Sequence, residues 1–560
     1  MSELMNGAQW LARTLAAAGT THVFWEDAVL RRMLVELGTL GVSRVLAHSE
    51  KAAAYMADGY ARVAGRPALC FSQSVGAANL AAGLQDAYLG YSPVIAMTGR
   101  KVPAHQHRNA YQEVSHAPLF AAVTKFSADV DAAADLPRLL RHAWRASMTG
   151  TPRPVHLDLN GIQAEEVELG KVNEPVGSGS PFDMTMPPHR PVPPPGDIER
   201  AAKALLASKR LVIVAGAGAT ASGCGAELLL LGLLLEAPIA TSLGGRGLID
   251  TRHRLSIGTV GNYAAPPANQ VVHEADMVFF VGCHTGDQVT HTWRIPTLDT
   301  PVVQIDIDPL ELGRSYPNTV GLAGDPKSTL KLLIEVLGRP QRDKAYADRA
   351  ARTVAIWREQ RAPLLASDAA PILPDRLCAE VSAALPKDGI LVADTGYSGI
   401  WSATLIELNG AGQTYLRAAG SLGWSFPAAL GAKCAAPKRK VVCFSGDGAL
   451  YYHLAELETA RRRGIAVVLV VNNNSGFGQG WPFVKGLQGD KPGDPAELLR
   501  FGPTDFSKVA QSFGVKGVRV ERAGEIGPAL RAALAAEESV VIDVATSIDA
   551  RAPEPWLPAA

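Results

Sequence analysis

VVCFSGDGALYYHLAELETARRRGIAVVLVVNNN, residues 441–474, joins two buried-looking strands through a helix and carries polar residues at both strand exits. VVCFS reads as a strand with both faces covered, ALYYHLAELETARRR as one amphipathic helix closed by Gly464, and IAVVLVVN as a second buried strand. Asp447 then falls at a strand-to-helix turn. Ligands of open parallel sheets bind beyond the carboxyl ends of the strands, where helix N-termini offer free N–H groups to phosphate. Asn472, Asn473, Asn474 and the Ser475-Gly476 pair bring neutral oxygens to the same edge. Turn chemistry alone favours such residues. Together, however, a carboxylate, an amide oxygen and a backbone carbonyl form the hard-oxygen set that suits Mg²⁺ bound to phosphate.

The rest of the chain reads as more of the same architecture. With 560 residues it exceeds one compact core. Lys+Arg and Asp+Glu each total 54, a balance that gives no sign of nucleic-acid binding. The six cysteines have no CxxC spacing, so neither a zinc site nor a disulfide framework is expected, and a reducing cytoplasm fits. The start, MSELMNGAQWLARTLAAAG with Glu3, reads as a domain helix and not a signal peptide. Leu228–Leu235 is too short to cross a membrane and reads as a buried helix. Strand runs such as THVFW, VLAH, ALCFS, PVIAMTG and PVHLDL alternate with helical patterns over residues 1–165. A Pro/Gly-rich linker follows at 166–196, then a second α/β block at 197–340 with LVIVAGAG, APIATSL, MVFFVG and VVQIDIDP. A charged helical connection at 341–370 leads to a third block at 371–550, and a tail at 551–560. The expected class is α/β, three consecutive doubly wound parallel-sheet domains.

The chain resembles the thiamine-diphosphate-dependent enzymes, in particular the acetohydroxyacid (acetolactate) synthase branch. Their diphosphate motif is GDG followed some 25 to 30 residues later by NN; here Gly446-Asp447-Gly448 and Asn473-Asn474 match it. HSEKAAAYMADGYARVAG matches the branch's segment HE, two residues, AA, then MADGYAR and G, with Ser49 inserted between His48 and Glu50. QSVGAANLAAGLQDAYLGYSPVIAMTGR, NAYQEVSH and AGSLGWSFPAALGA match further segments. The resemblance covers nearly the whole chain and names its domains pyrimidine-binding, central and diphosphate-binding.

It implies the following roles. Asp447, Asn474 and the carbonyl of Gly476 would hold Mg²⁺. Gly446, Asp447, Gly448, Asn474, Gly420, Leu422, Asn79 and Gly396 would bind the cofactor, with Leu422 as the apolar wedge beneath it. Glu50 would protonate the aminopyrimidine ring, and Gln112 would be an active-site amide. Tyr111, Phe477, Gln479 and Trp481 fall where substrate-facing residues lie. The expected reaction is cleavage and formation of C–C bonds on 2-keto acids through an enamine, on small-molecule substrates, without membrane or nucleic-acid partner. A homodimer or homotetramer with sites between subunits is implied. Alternatives are a 2-hydroxyacyl-CoA lyase, for which Arg100, Lys101 and Lys485 could hold phosphate, and a non-catalytic cofactor-binding relative. In the middle block AGAGATASG is an imperfect GxGxxG, and HTGDQVT at 284–290 replaces the arginine-bearing RFDDR pattern, so FAD or ADP there is doubtful.

Overall fold

The computed structural model of the protein describes residues 5–177, 182, 184–409 and 412–558. Glu3, the linker positions 178–181 and 183, and the last two residues of the tail lie outside the described residues. Each of three six-stranded sheets is parallel throughout.

In the first, the spatial order is Ser43–Leu46, His22–Trp25, Ala68–Gln73, Val94–Arg100, Val155–Asn160 and Phe126–Val130. The second strand in the chain therefore lies outside the first, and the sixth inside the fifth. The third sheet repeats this order with Thr414–Arg417, Ile390–Ala393, Val441–Gly446, Val468–Asn473, Val540–Ala545 and Lys516–Val520. The middle sheet runs Ser256–Thr259, Ile239–Thr241, Leu211–Ala215, Met277–Val281, Val302–Asp306 and Thr319–Ala323. In the first and third sheets the order reverses between the first and third strands, and a crevice opens at the carboxyl ends of such a pair. Glu26 and Ser74 flank that point in the first sheet; Asp394 and Asp447 flank it in the third.

The first and third domains share one hydrophobic core, in which the helices Glu50–Ala64 and Ser425–Ala435 cross. The crossing depends on two glycines. A Cβ on Gly59 would overlap the Ala428 carbonyl, and one on Gly431 would overlap the Met56 carbonyl. Beside the crossing, Trp424 Nε1 donates to Asp58 (2.8 Å) and Arg62 donates to the Arg417 carbonyl (2.9 Å). The contact thus fixes where the two helix starts, Glu50 and Ser425, lie relative to one another.

Two local expectations need correction. The helix expected after Gly448 is broken into a turn at Asp447–Leu450, a 3₁₀ turn at Tyr451–His453 and a helix at Glu456–Arg463, which Gly464 closes at φ 62°. The tighter middle turn puts His453 inside, edge-on to Tyr55 at 5.6 Å, and leaves Tyr451 and Tyr452 outside. The run Leu228–Leu235 is not buried all round. The helix Gly225–Leu235 buries Leu228, Leu231 and Leu235 at helical spacing while Leu230 and Leu233 face solvent. Among the described residues no helix is long and apolar enough to cross a membrane.

Candidate active site

The strands Val441–Gly446 and Val468–Asn473 are neighbours with Gly446 opposite Asn472, so their polar exits lie side by side. The three asparagines then part company. Asn472 accepts from Thr546 Oγ1 (2.6 Å), and Asn473 donates to Asp543 and to the Thr504 carbonyl (both 2.9 Å). Asn474 keeps a buried Oδ1 with no hydrogen-bond partner. Leaving such an oxygen unpaired costs about 1–3 kcal/mol, and among the orphaned buried atoms of the described residues this one lies two residues from the Gly476 N–H that meets Asp447. Ser475 turns back in the left-handed region at φ 55°, and the Gly476 N–H then reaches Asp447 Oδ2 (2.9 Å). Asp447 is 2% exposed, and burial pushes its carboxyl up to about 6. A buried carboxylate beside an orphaned amide oxygen is a donor set that a divalent cation with hard-oxygen preference fits. Gly448 faces Phe477, whose ring would lie 2.6 Å from a Cβ at 448.

At the other sheet, Ser49 caps the helix that begins at Glu50, its hydroxyl accepting from the Ala52 N–H (3.1 Å). Glu50 Oε2 accepts from Asn79 Nδ2 (3.1 Å), and a Cβ on Gly76 would overlap Glu50 Oε1. The glycine-rich loop therefore gives way to the carboxyl. Glu26 lies across the crevice; burial, and then the charge of Glu50, raise its carboxyl above the ordinary range.

Between the two ends runs the segment Ala418–Ser425, held by acids from two domains. Asp86 accepts the N–H groups of Ala419 (2.8 Å), Gly420 (3.2 Å) and Ser421 (3.0 Å). Asp394 accepts those of Gly423 (3.2 Å) and Ser425 (3.0 Å), and burial raises its carboxyl. Leu422 sits between these grips and stays half-buried. Gly396, at φ 63°, lies next to the Gln479 amide, whose Oε1 is 3.2 Å from where a Cβ would be. Gln112 takes a left-handed φ of 57° and its Nε2 reaches the Tyr111 hydroxyl (3.2 Å), while Tyr111 itself is exposed. Trp481 donates its indole N–H to Asp549 (3.1 Å).

Asp86 and Asp394 escaped the sequence reading. Asp86 looks like the solvated acid of an amphipathic helix. Asp394 carried a usable signal, since VADTG repeats the strand–acid–glycine pattern of FSGDG. In the central domain, a Cβ on Gly216 would lie 2.6 Å from Cys283 Cα and one on Gly218 3.0 Å from Gly282 Cα, so both glycines have a packing reason.

Three family models match the chain: the N-terminal TPP binding domain of thiamine pyrophosphate enzymes at residues 5–119, their central domain at 198–333 and their C-terminal TPP binding domain at 394–544. The chain is 30% identical over 559 residues to a probable acetolactate synthase large subunit of Methanococcus aeolicus, covering 97% of this chain and 92% of the relative. It is 31% identical over 555 residues to one of Methanocaldococcus jannaschii (96% and 92%). It is 27% identical over 541 residues to the acetolactate synthase isozyme 3 large subunit of Escherichia coli (95% and 92%). With all three domain types in order and full-length relatives at this identity, the chain belongs to the thiamine pyrophosphate enzymes.

Proposed function

We propose that the protein decarboxylates a 2-keto acid and joins the remaining fragment to a second carbonyl compound, as an acetolactate synthase does. The observation that carries this is the orphaned Asn474 Oδ1 beside the buried Asp447, in a chain whose full-length relatives are named acetolactate synthase large subunits. Asp447, Asn474 and the Gly476 carbonyl would hold Mg²⁺ against the diphosphate, with Gly446 and Gly448 leaving room. Thiamine diphosphate, when bound, supplies the electron sink that makes cleavage next to a carbonyl feasible.

The remaining work falls to side chains. Glu50, oriented by Asn79, would move the proton at the aminopyrimidine ring nitrogen. Leu422, gripped from both sides through its neighbours, would support the cofactor's bend, with Gly396 and Gly420 keeping its surroundings open. Gln112 would hydrogen-bond the reacting groups, and Tyr111, Phe477, Gln479 and Trp481 would line the substrate side.

A homodimer or homotetramer with sites completed by a second copy is the arrangement that the resemblance to this family implies. Six buried, unpaired cysteines support a cytoplasmic setting. Arg100 is largely buried and pairs with Asp131, which leaves that cation engaged rather than poised for a CoA phosphate.

The test is NMR identification of products from ¹³C-pyruvate with Mg²⁺ and thiamine diphosphate. Acetolactate or acetoin is expected. No turnover by cofactor-loaded protein would remove pyruvate as donor and turn the search to 2-hydroxyacyl thioesters.

A further inference from the structure

Behind the glycine-rich loop of the first domain lies a buried polar chain that the proposed reaction does not use. His116, His156 and Asp158 bring ligand-type atoms within 4.8 Å of one another. Every ring nitrogen is nevertheless engaged. His116 Nδ1 meets Asp158 Oδ1 (2.9 Å) and Nε2 meets the Ser74 carbonyl (3.0 Å), while His156 Nδ1 meets Ser127 Oγ (2.9 Å) and Nε2 meets Thr98 Oγ1 (2.7 Å). The cluster is a hydrogen-bonded relay, not an open set of cation ligands.

The direction of its protons follows from what each group can do. The Ser74 carbonyl and the Asp158 carboxylate both only accept, so His116 donates from Nε2 to the first and from Nδ1 to the second. Thr98 donates its hydroxyl to Asp158 Oδ1 (2.8 Å), so His156 donates Nε2–H to Thr98 and accepts at Nδ1 from Ser127. Ser74 is thereby fixed through its carbonyl, and its hydroxyl donates to the carbonyl of Gln112. That bond matters for a specific reason: among the described residues it is the one hydrogen bond tying residues 102–115 to another element. The others made by this segment are internal or reach its own edge, as Gln106 to Lys101 and His107 to Glu113. The segment also holds three left-handed residues, His107, Asn109 and Gln112, a conformation that persists only where surroundings impose it.

We propose that His116, braced by Asp158, is a positioning residue that pins the 102–115 segment through Ser74 and so places Gln112. The functional part rests on Gln112 being a site residue; the tie itself does not.

Two readouts on the cofactor-loaded enzyme test it. In hydrogen–deuterium exchange, His116→Leu is expected to speed amide exchange across 102–115 by about tenfold, the scale of one lost hydrogen bond, while Val155–Asn160 stays protected. His116→Gln, which keeps a donor, should restore slow exchange. In turnover of pyruvate, the double variant His116→Leu/Gln112→Ala should be no slower than Gln112→Ala alone, because the two act as one unit. Unchanged exchange in 102–115 would overturn the proposal, as would equal loosening of Val155–Asn160, which marks a merely structural role. Multiplying losses in the double variant would overturn it too. Faster exchange with a silent Gln112→Ala would leave the tie standing and remove Gln112 from the site.

Discussion

Asp86→Asn probes the grip on the Leu422 segment with minimal change of shape. Asp86 is fully buried and accepts three backbone N–H groups, two on Oδ2 and one on Oδ1, with Arg62 3.5 Å from Oδ1. An amide has a single acceptor oxygen. Turned to serve Gly420 and Ser421, it presents its NH₂ to the Ala419 N–H and to Arg62; turned the other way it loses two bonds. At least one bond to a charged acceptor is lost, worth about 1.5–3 kcal/mol. For a domain of this size each kcal/mol moves the unfolding midpoint by about 2–4 °C, so a fall of about 5 °C is expected. Thermal unfolding followed by circular dichroism reads it, and thiamine diphosphate affinity, measured alongside, should weaken as Leu422 is released. A midpoint within about 1 °C of the parent, the range of an ordinary surface substitution, would refute the grip.

Glu50→Gln should keep cofactor binding but slow exchange of the thiazolium proton by about 100-fold or more, the scale of general acid–base contributions; unaltered exchange by NMR would take Glu50 out of the mechanism. Asn473→Ala and Asn474→Ala should separate cleanly. The first loses its bonds to Asp543 and Thr504 and should lower stability, whereas the second removes an unpartnered oxygen and should spare stability while abolishing Mg²⁺-dependent cofactor binding. The reverse pattern in unfolding and binding assays would reassign the pair. Gly431→Ala places a methyl group well inside the 3.0 Å that real Cβ contacts do not cross and should lower stability by about 1–3 kcal/mol, while Gly196→Ala, with nothing within 4 Å, should be neutral. Equal unfolding midpoints would contradict the crossing.

Legibility in the sequence followed burial. The central strands announce themselves as Val/Ile/Leu runs because both faces are covered. Phe126–Val130, Ser256–Thr259, Thr319–Ala323, Thr414–Arg417 and Lys516–Val520 gave no such run, and all five are sheet edges. Lys516–Val520 shows why: only Val520 is buried, so nothing in its composition distinguishes it from a loop. The proposed diphosphate end stood out in the sequence because Gly446-Asp447-Gly448 and Asn472-Asn473-Asn474 are two short, chemically unusual clusters at neighbouring strand exits. Which asparagine stays unpartnered did not, since Thr504, Asp543 and Thr546 arrive from distant sequence. Asp86 and the His116–Asp158 pair were hidden for the same reason: their meaning lies in the backbone groups they meet, not in their neighbours along the chain.

The proposed anchor holds the cofactor through Mg²⁺ bound by Asp447, Asn474 and Gly476. Calorimetric titration of thiamine diphosphate into the protein tests it most directly, run with Mg²⁺, with EDTA, and on Asp447→Ala. Saturable binding that requires Mg²⁺ and disappears in Asp447→Ala is the predicted result. Undiminished affinity in Asp447→Ala would remove this carboxylate from the anchor.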